Sequence, residues 1–531
     1  MRLLVAMALR MILQLGVVVA LMPLAILRAD ATAPVEQWGI FEIAIKGPAD
    51  GSPFVDVTLS ARFSKGDAST EVAGFYDGEG MYRVRFMPEE TGQWHYETKS
   101  NRAELDGRSG TLSVVKPSAK NHGPVRVANT FHFAYADGTP YKQIGTTCYS
   151  WIHQNNDKLE EQTLETLAAA PFNKVRMLVF PERTSPNHKE PEYFPFEGQP
   201  PKDWNFERFN PKFFEHLEKR VGQLRDLGIE ADLILFHPYD KGYYGFDRMG
   251  ASADDRYLRY VVARLAAYRN VWWSLANEYD FIKTKTEADW DRFFQIIRQS
   301  DPYGHLRSIH NGALIYNHTL PWVTHASIQN GSAVEDFGRA VLYRDVYRKP
   351  IVFDEAKYEG NLDQRWGQLS AEEMVHHFWQ GTIAGTYVGH SEAFKDSGES
   401  RWLSSGGVLR GQSAPRLAFL RQILESGPAE GIDPIDKWQD PHIAGKAGEY
   451  YLVYFGKEQP SEWLFELPRI KITDGEKFRV EIIDTWNMTI TPVEQVYKAT
   501  LNDRHLVRAE GDATVKLPGK PYIALRIRRA D

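Results

Sequence analysis

The chain has 531 residues, a formal net charge of −7, a single cysteine and 13% aromatic residues, including 14 Trp and 25 Tyr. That length fits about two to four domains. With no basic block and no basic–aromatic ladder, nucleic acid is excluded as a partner, and the lone Cys148 excludes an intramolecular disulfide framework and a multi-cysteine metal site. The aromatic content suits a sugar-binding cleft, where ring faces stack on sugars, and equally a large β-rich core.

Residues 1–31 read as a signal peptide. Arg2 and Arg10 form a basic end, Met11 to Leu27 is nearly all apolar, and Ala29-Asp30-Ala31 supplies small residues for cleavage near Ala31 or Ala33. The alternative is an uncleaved anchor. No later stretch is long and apolar enough to span a bilayer. The mature protein is therefore expected to be exported, periplasmic or extracellular if the source is bacterial, with no stable membrane insertion.

From residue 35 to 117 the pattern alternates as strands do, in Phe41–Ile45, Val55–Phe63, Tyr82–Phe86, Trp94–Thr98 and Thr111–Val115, with turn signals between them. Short alternating strands at this spacing predict a β-sandwich. A polar hinge from Lys116 to Pro124 follows. Between 125 and 427, strand-like runs alternate with helical ones, which predicts βα units around a parallel sheet. The strands are expected at Gln143–Tyr149, Lys174–Phe180, Ala231–His237, Val271–Ala276, Leu306–His310, Val323–Gln329, Pro350–Glu355 and Gly385–Ser391. Helix signals sit between most of them: Asn210-Pro211 as a start and Gly228 as a stop, and the Ser370/Glu373 capping box. Eight such units close a (β/α)8 TIM barrel. The link between the fifth and sixth strands is short for a full helix. From 428 to 531 the pattern returns to strands, predicting a small C-terminal β-domain.

The stretch Val271-Trp272-Trp273-Ser274-Leu275-Ala276 is apolar, as a strand buried on both faces requires, and it ends in Asn277-Glu278. A carboxylate there is costly unless hydrogen-bonded or functional, and the C-terminal mouth of a barrel is where catalytic side chains gather. The seventh strand ends in Asp354-Glu355. Glu278 and Glu355 would face each other across the mouth, which is the equipment for glycoside hydrolysis. By strand alternation Asp354 is expected to point away. Glu359 is the rival for the position of Glu355. Asn277 is placed to donate to a sugar hydroxyl. The mouth is expected to collect Tyr149, Trp151 and His153 after the first strand, Tyr239 and Asp240 after the third, and His310 after the fifth, with Trp151 the better candidate for a sugar platform. His310 reads equally as a satisfied interior histidine, and Glu392 equally as a sugar acceptor or part of a structural His-Glu network.

Ala276-Asn277-Glu278 and Asp354-Glu355, in that strand order, resemble the signatures of the clan of (β/α)8 retaining glycoside hydrolases that includes cellulases, mannanases and β-galactosidases. Arg176 resembles the clan's buried arginine, which pairs with the nucleophile, and His237 resembles its sugar-contacting histidine. The likeness extends to the flanks. Trp38-Gly39 to Thr91-Gly92-Gln93-Trp94 is similar to an uncharacterised domain preceding such barrels in secreted glycoside hydrolases, and Tyr387–Glu392 and Ile483–Met488 are similar to later parts of that three-domain family. The resemblance implies retention through a covalent glycosyl-enzyme, with Glu278 as acid and then base, and Glu355 as nucleophile held ionised by Arg176. Retention needs the carboxyl groups roughly 5–5.5 Å apart. The chain departs from the clan in two places: the sixth strand ends in Gln329 rather than tyrosine or histidine, and His390 and Glu392 stand where an aromatic residue is usual. Those departures suggest that the clan's mechanism carries over while its usual substrates do not, with His390 and Glu392 at the corner that selects the sugar.

The expected partner is thus an oligo- or polysaccharide of plant or microbial origin; the sequence leaves the oligomeric state open. No cofactor is expected. His376-His377 are adjacent on a predicted helix and cannot both face one metal, and neither a Gly-x-Ser-x-Gly elbow nor a His-Glu-x-x-His motif is present. The competing reading is a carbohydrate-binding protein that keeps the barrel without chemistry, which would not need both glutamates together with Asn277 and Arg176.

Overall fold

The computed structural model describes residues 33–183, 190–330, 334–395, 401–438, 440–501 and 503–530. The expected signal peptide lies outside them. No helix among the described residues is long and apolar enough to cross a membrane.

The centre of the chain is the (β/α)8 barrel. Its parallel strands are β1 (Gly145–Thr147), β2 (Lys174–Leu178), β3 (Glu230–Phe236), β4 (Val271–Ala276), β5 (Arg307–Ser308), β6 (Ala326–Gln329), β7 (Ile351–Glu355) and β8 (Tyr387–His390). They run in the order β5-β4-β3-β2-β1-β8-β7-β6. The ring closes between β5 and β6 through a single parallel bridge, His310 to Ser327. Strands β2 to β4 are buried along their whole length because helices cover their outer face, as their uninterrupted apolar runs require. Capped helices lie between them. Asn210 accepts from the Lys212 amide ahead of Pro211, and Ser370 and Glu373 form the expected reciprocal cap. No helix is assigned among the described residues between β5 and β6, in keeping with the short link there.

The N-terminal part is the expected sandwich. A five-stranded sheet packs on a three-stranded one, with Phe63 stacked on Phe86 at 4.0 Å across the interface. One expected strand is shorter than its pattern: Pro53–Asp56 is a helical turn, with Pro53 at its first position, and the strand begins at Leu59. A small three-stranded sheet (Val125–Ala128, His132–Tyr135, Pro140–Tyr141) then leads into β1. Its Phe133 packs on Trp272 and Tyr387 at 5.1 and 5.2 Å and so plugs the N-terminal end of the barrel. The C-terminal part is an eight-stranded antiparallel sheet running from Asp433–Asp436 to Ile523–Ala530, with its own core. Both flanks are bonded to the barrel. Arg85 donates to the Arg264 carbonyl and to Glu218 at 2.8 and 2.9 Å, and Tyr454 bonds His376 at 3.0 Å.

One layer below the mouth, the barrel interior is charged. Lys174 Nζ donates to Asp232 at 3.0 Å and to Asp354 at 2.8 Å, with all three side chains 1% exposed. Asp354 also accepts from Ser327 Oγ at 2.6 Å. Asp354 therefore points inward, not away as alternation along β7 suggested. It is Glu355, at the end of the strand where the ladder shifts register, that turns into the mouth. Removing one partner of such a network strands the others without compensation. Lys174→Met is expected to lower stability by about 3–5 kcal/mol, seen as a fall in the barrel's thermal midpoint.

Candidate active site

β4 carries the first carboxylate out of the core. Beyond Ala276 the ladder continues for one step, with the Asn277 amide donating to the Phe236 carbonyl at 3.0 Å. The chain then turns at Glu278, which adopts φ 45°, ψ 50° in the left-handed region. That conformation costs a non-glycine residue on the order of 1–2 kcal/mol, and it is pinned by the Tyr279 amide on the His310 carbonyl at 3.0 Å. The turn keeps the Glu278 side chain in the mouth, where it lines an open cleft of about 490 Å³. Burial and then the negative charge of Glu355 push its carboxyl up to about 7, against hydrogen bonds from Gln329 and Tyr239.

Glu355 is treated in the opposite way. Its Oε1 receives hydrogen bonds from the Tyr149 hydroxyl, from Asn277 Nδ2 at 3.0 Å and from Arg176 Nη1 at 3.4 Å, and His310 Nε2 lies 3.7 Å away. Burial favours its neutral form, but His310, Arg176 and the Tyr149 and Asn277 hydrogen bonds overcome that and hold it below the usual carboxylate range. Burial and then Arg176 drive His310 itself down to about 4. Above that pH it is a neutral imidazole, and Arg176 carries the standing positive charge. Arg176 is in turn fixed by Asp354 and Asp232, each 3.9 Å from its Nε, and by a hydrogen bond to Asn277 Oδ1. Burial, and after it the charge of Glu355, raises the phenols of Tyr149 and Tyr239 well above their ordinary value, so both remain donors.

The structure thus brings Glu278, Glu355, Arg176, Asn277, Tyr239, His310 and Gln329 together. Asn277 is fully buried, and its amide is directed at Glu355 and the Tyr149 and Tyr239 hydroxyls. That makes it a positioning residue for Glu355 rather than a group facing the cleft.

Several expected positions differ. Trp151 is 0% exposed. The loop after β1 is tied down by Tyr149 and Ser150 amides on the Leu403 and Ser404 carbonyls, at 2.8 and 2.6 Å, which sinks the indole into the core, so it offers no platform. His237 has both ring nitrogens on backbone groups, Phe180 O and Tyr239 N, each at 3.1 Å, and shapes the loop instead of reaching the cleft. His390 points outward from β8. It stacks on Phe172 at 4.7 Å and bonds Thr146 Oγ1 at 3.0 Å. Glu392 leaves the barrel wall and accepts from the Arg410 and Gly411 amides at 2.7 and 2.9 Å. Both side chains are taken up by these contacts, and neither lines the cleft beside Glu278. Glu359, the rival nucleophile, accepts from the Gln412 and Ser413 amides at 2.7 and 3.2 Å and caps the helix Ser413–Glu425.

Sequence reading missed Lys174 and Asp232, which hold the Arg176 layer. The signal was available: Lys174 and Arg176 are two residues apart in an apolar strand and so share one face, and Arg176 stands in register with Asp232.

A closed (β/α)8 barrel whose mouth holds one carboxyl raised and another lowered has the parts that glycoside hydrolysis needs. Residues 128–391 match the Apiosidase-like catalytic domain model. Residues 34–101 match the domain of unknown function DUF5060, and residues 438–528 match the domain of unknown function DUF5605. The crystal structure of a Bacteroides vulgatus ATCC 8482 protein assigned as a glycoside hydrolase is 42% identical, with a TM-score of 0.90 over 94% of this chain and 100% of that one. The chain belongs to this clan of (β/α)8 barrel glycoside hydrolases. A family 5 glycoside hydrolase from the same organism shares the fold at 15% identity, with a TM-score of 0.56 over 77% of this chain and 93% of its own. No curated protein matches the chain.

Proposed function

We infer that the protein is an exported glycoside hydrolase that retains anomeric configuration, acting on a plant or microbial glycan. Glu355 is the nucleophile, and Glu278 is the acid in the first step and the base in the second. The observation that supports hydrolysis by this pair most strongly is the opposite displacement of the two carboxyls, Glu278 upward to about 7 and Glu355 downward, and retention is what the likeness to the clan implies. A carbohydrate-binding role has no use for that asymmetry.

In the first step the Glu355 carboxylate attacks the anomeric carbon while Glu278 gives its proton to the glycosidic oxygen, and the alcohol departs. Ester formation removes the charge of Glu355, which lowers the pKa of Glu278 and leaves it a carboxylate. Glu278 then takes a proton from water as the water oxygen attacks the anomeric carbon and frees Glu355. Proton NMR of the first-formed product tests this reading. The anomer of the substrate is expected, and the opposite anomer would assign inversion.

The same pair sets the pH profile. The acid must be protonated, so kcat/KM is expected to fall as pH rises through about 7. The nucleophile must be ionised, so a second fall is expected at low pH, below the usual carboxylate range. Glu278→Gln is expected to abolish the alkaline limb.

The same reading takes residues 1–31 as a signal peptide, 35–117 and 428–531 as flanking domains, and 125–427 as the catalytic barrel. N-terminal sequencing of the protein recovered from the culture medium or periplasm tests the export step, with a start near residue 32 or 34 expected.

A further inference from the structure

The cleft beside Glu278 is shaped by the loops after β3 and β4. It is lined by Tyr239, Lys241, Asp247 and Arg248 from the first, and by Glu278, Phe281, Lys283 and Thr284 from the second. Glu355 does not line it. In glycoside cleavage the acid stands on the side from which the alcohol departs, so this cleft receives the leaving-group sugar. Its volume of about 490 Å³ is in the range of small-molecule sites. Phe281 is 45% exposed and stands three residues after the acid, with the Lys283 ammonium 6.0 Å from its ring centroid.

The charge of the cleft is unlike that of the chain. Within a protein of net charge −7 it gathers three cations. Asp247 is engaged by Arg248 Nε at 3.3 Å. Glu278 is protonated when it acts as acid. Lys283 Nζ donates to the neutral Asp280 carbonyl at 2.6 Å, and neither Lys283 nor Lys241 makes an ion pair among the described residues. Lys241 and Lys283, both exposed, therefore stand without an ion-pair partner at the rim of the open cleft and give it a positive potential. The Arg248 guanidinium folds over the loop at Gly242, whose φ of +73° favours glycine.

We propose that this cleft is an anion-recognising leaving-group subsite, and that the sugar displaced by the enzyme carries a carboxylate or a sulfate. Calling it the leaving-group side, and counting Glu278 as uncharged, both rest on Glu278 being the acid; the two lysines at the cleft do not depend on that reading. Titration calorimetry of the full chain tests it with methyl glycosides of uronic acids, of the 6-sulfated sugars and of the neutral parent sugars, in gluco and galacto configuration. At low salt an acidic sugar is expected to bind about tenfold tighter than its neutral parent, the sum of two screened contacts. The preference is expected to collapse in 0.5 M NaCl, roughly a 4 Å screening length, and in Lys241→Ala/Lys283→Ala. Preference for the uronides alone names a carboxylate, and preference for the sulfated sugars alone names a sulfate. Equal binding of acidic and neutral sugars, or a preference that survives the double substitution, overturns the proposal. The readout needs no turnover. A chain that binds uronides here yet cleaves no glycoside would overturn the hydrolase reading and leave the subsite standing, and a chain that cleaves neutral glycans without acid preference would do the reverse.

Discussion

Glu278→Ala is expected to lower kcat by about 10²–10⁴-fold on glycosides with a poor leaving group. On an aryl glycoside whose phenolate departs without a proton, the first step is expected to survive and the second to become limiting, so the glycosyl-enzyme accumulates. Azide, which attacks without giving up a proton, is then expected to restore turnover and yield a glycosyl azide of unchanged configuration. The protein is expected to remain folded. Burial disfavours the charge of Glu278, so alanine removes a group that the fold tolerates rather than one it needs.

Glu355→Ala is expected to be the larger loss, roughly 10⁴-fold or more on every substrate, because neither Asp354 nor Glu359 is placed to take over as nucleophile. Asp354 is held by Lys174 and Ser327, and Glu359 is bound to the start of the helix Ser413–Glu425. The substitution also reports on the electrostatics. With the charge of Glu355 gone, Glu278 is expected to titrate below about 7, which carboxyl-carbon NMR would follow. An unchanged Glu278 titration would mean that burial alone raises it.

Most of the barrel was legible because its strands are buried on both faces and written as apolar runs that stop at polar residues. β4 and β7 are the clearest cases, and they carry the two glutamates. Where pairing is short, the pattern fades. β5 is only Arg307–Ser308, and the plug sheet has strands of two to four residues, in a stretch between the hinge and the first barrel strand where no strand is expected. The errors at the site share one cause. Position just past a strand suggests a residue that faces the mouth, but the turn after the strand decides that. The positive φ of Glu278 aims it inward, whereas the chain after β8 leaves the wall to pair Glu392 with Glu359. Trp151 fails for the same reason, drawn under by backbone hydrogen bonds to Leu403 and Ser404 that lie far away in sequence. Asp354 and Glu355 show the converse: both contact Arg176, because the strand end twists out of strict alternation.

The central claim is that Glu355 becomes covalently attached to the sugar. The most direct test is to inactivate the enzyme with the 2-deoxy-2-fluoro glycosyl fluoride of a sugar it cleaves and map the adduct by peptide mass spectrometry. A single glycosyl group on Glu355, absent when Glu355→Ala is treated in the same way, is the expected result. An adduct on Glu359 or Asp354, or no adduct together with a product of inverted configuration, would contradict it.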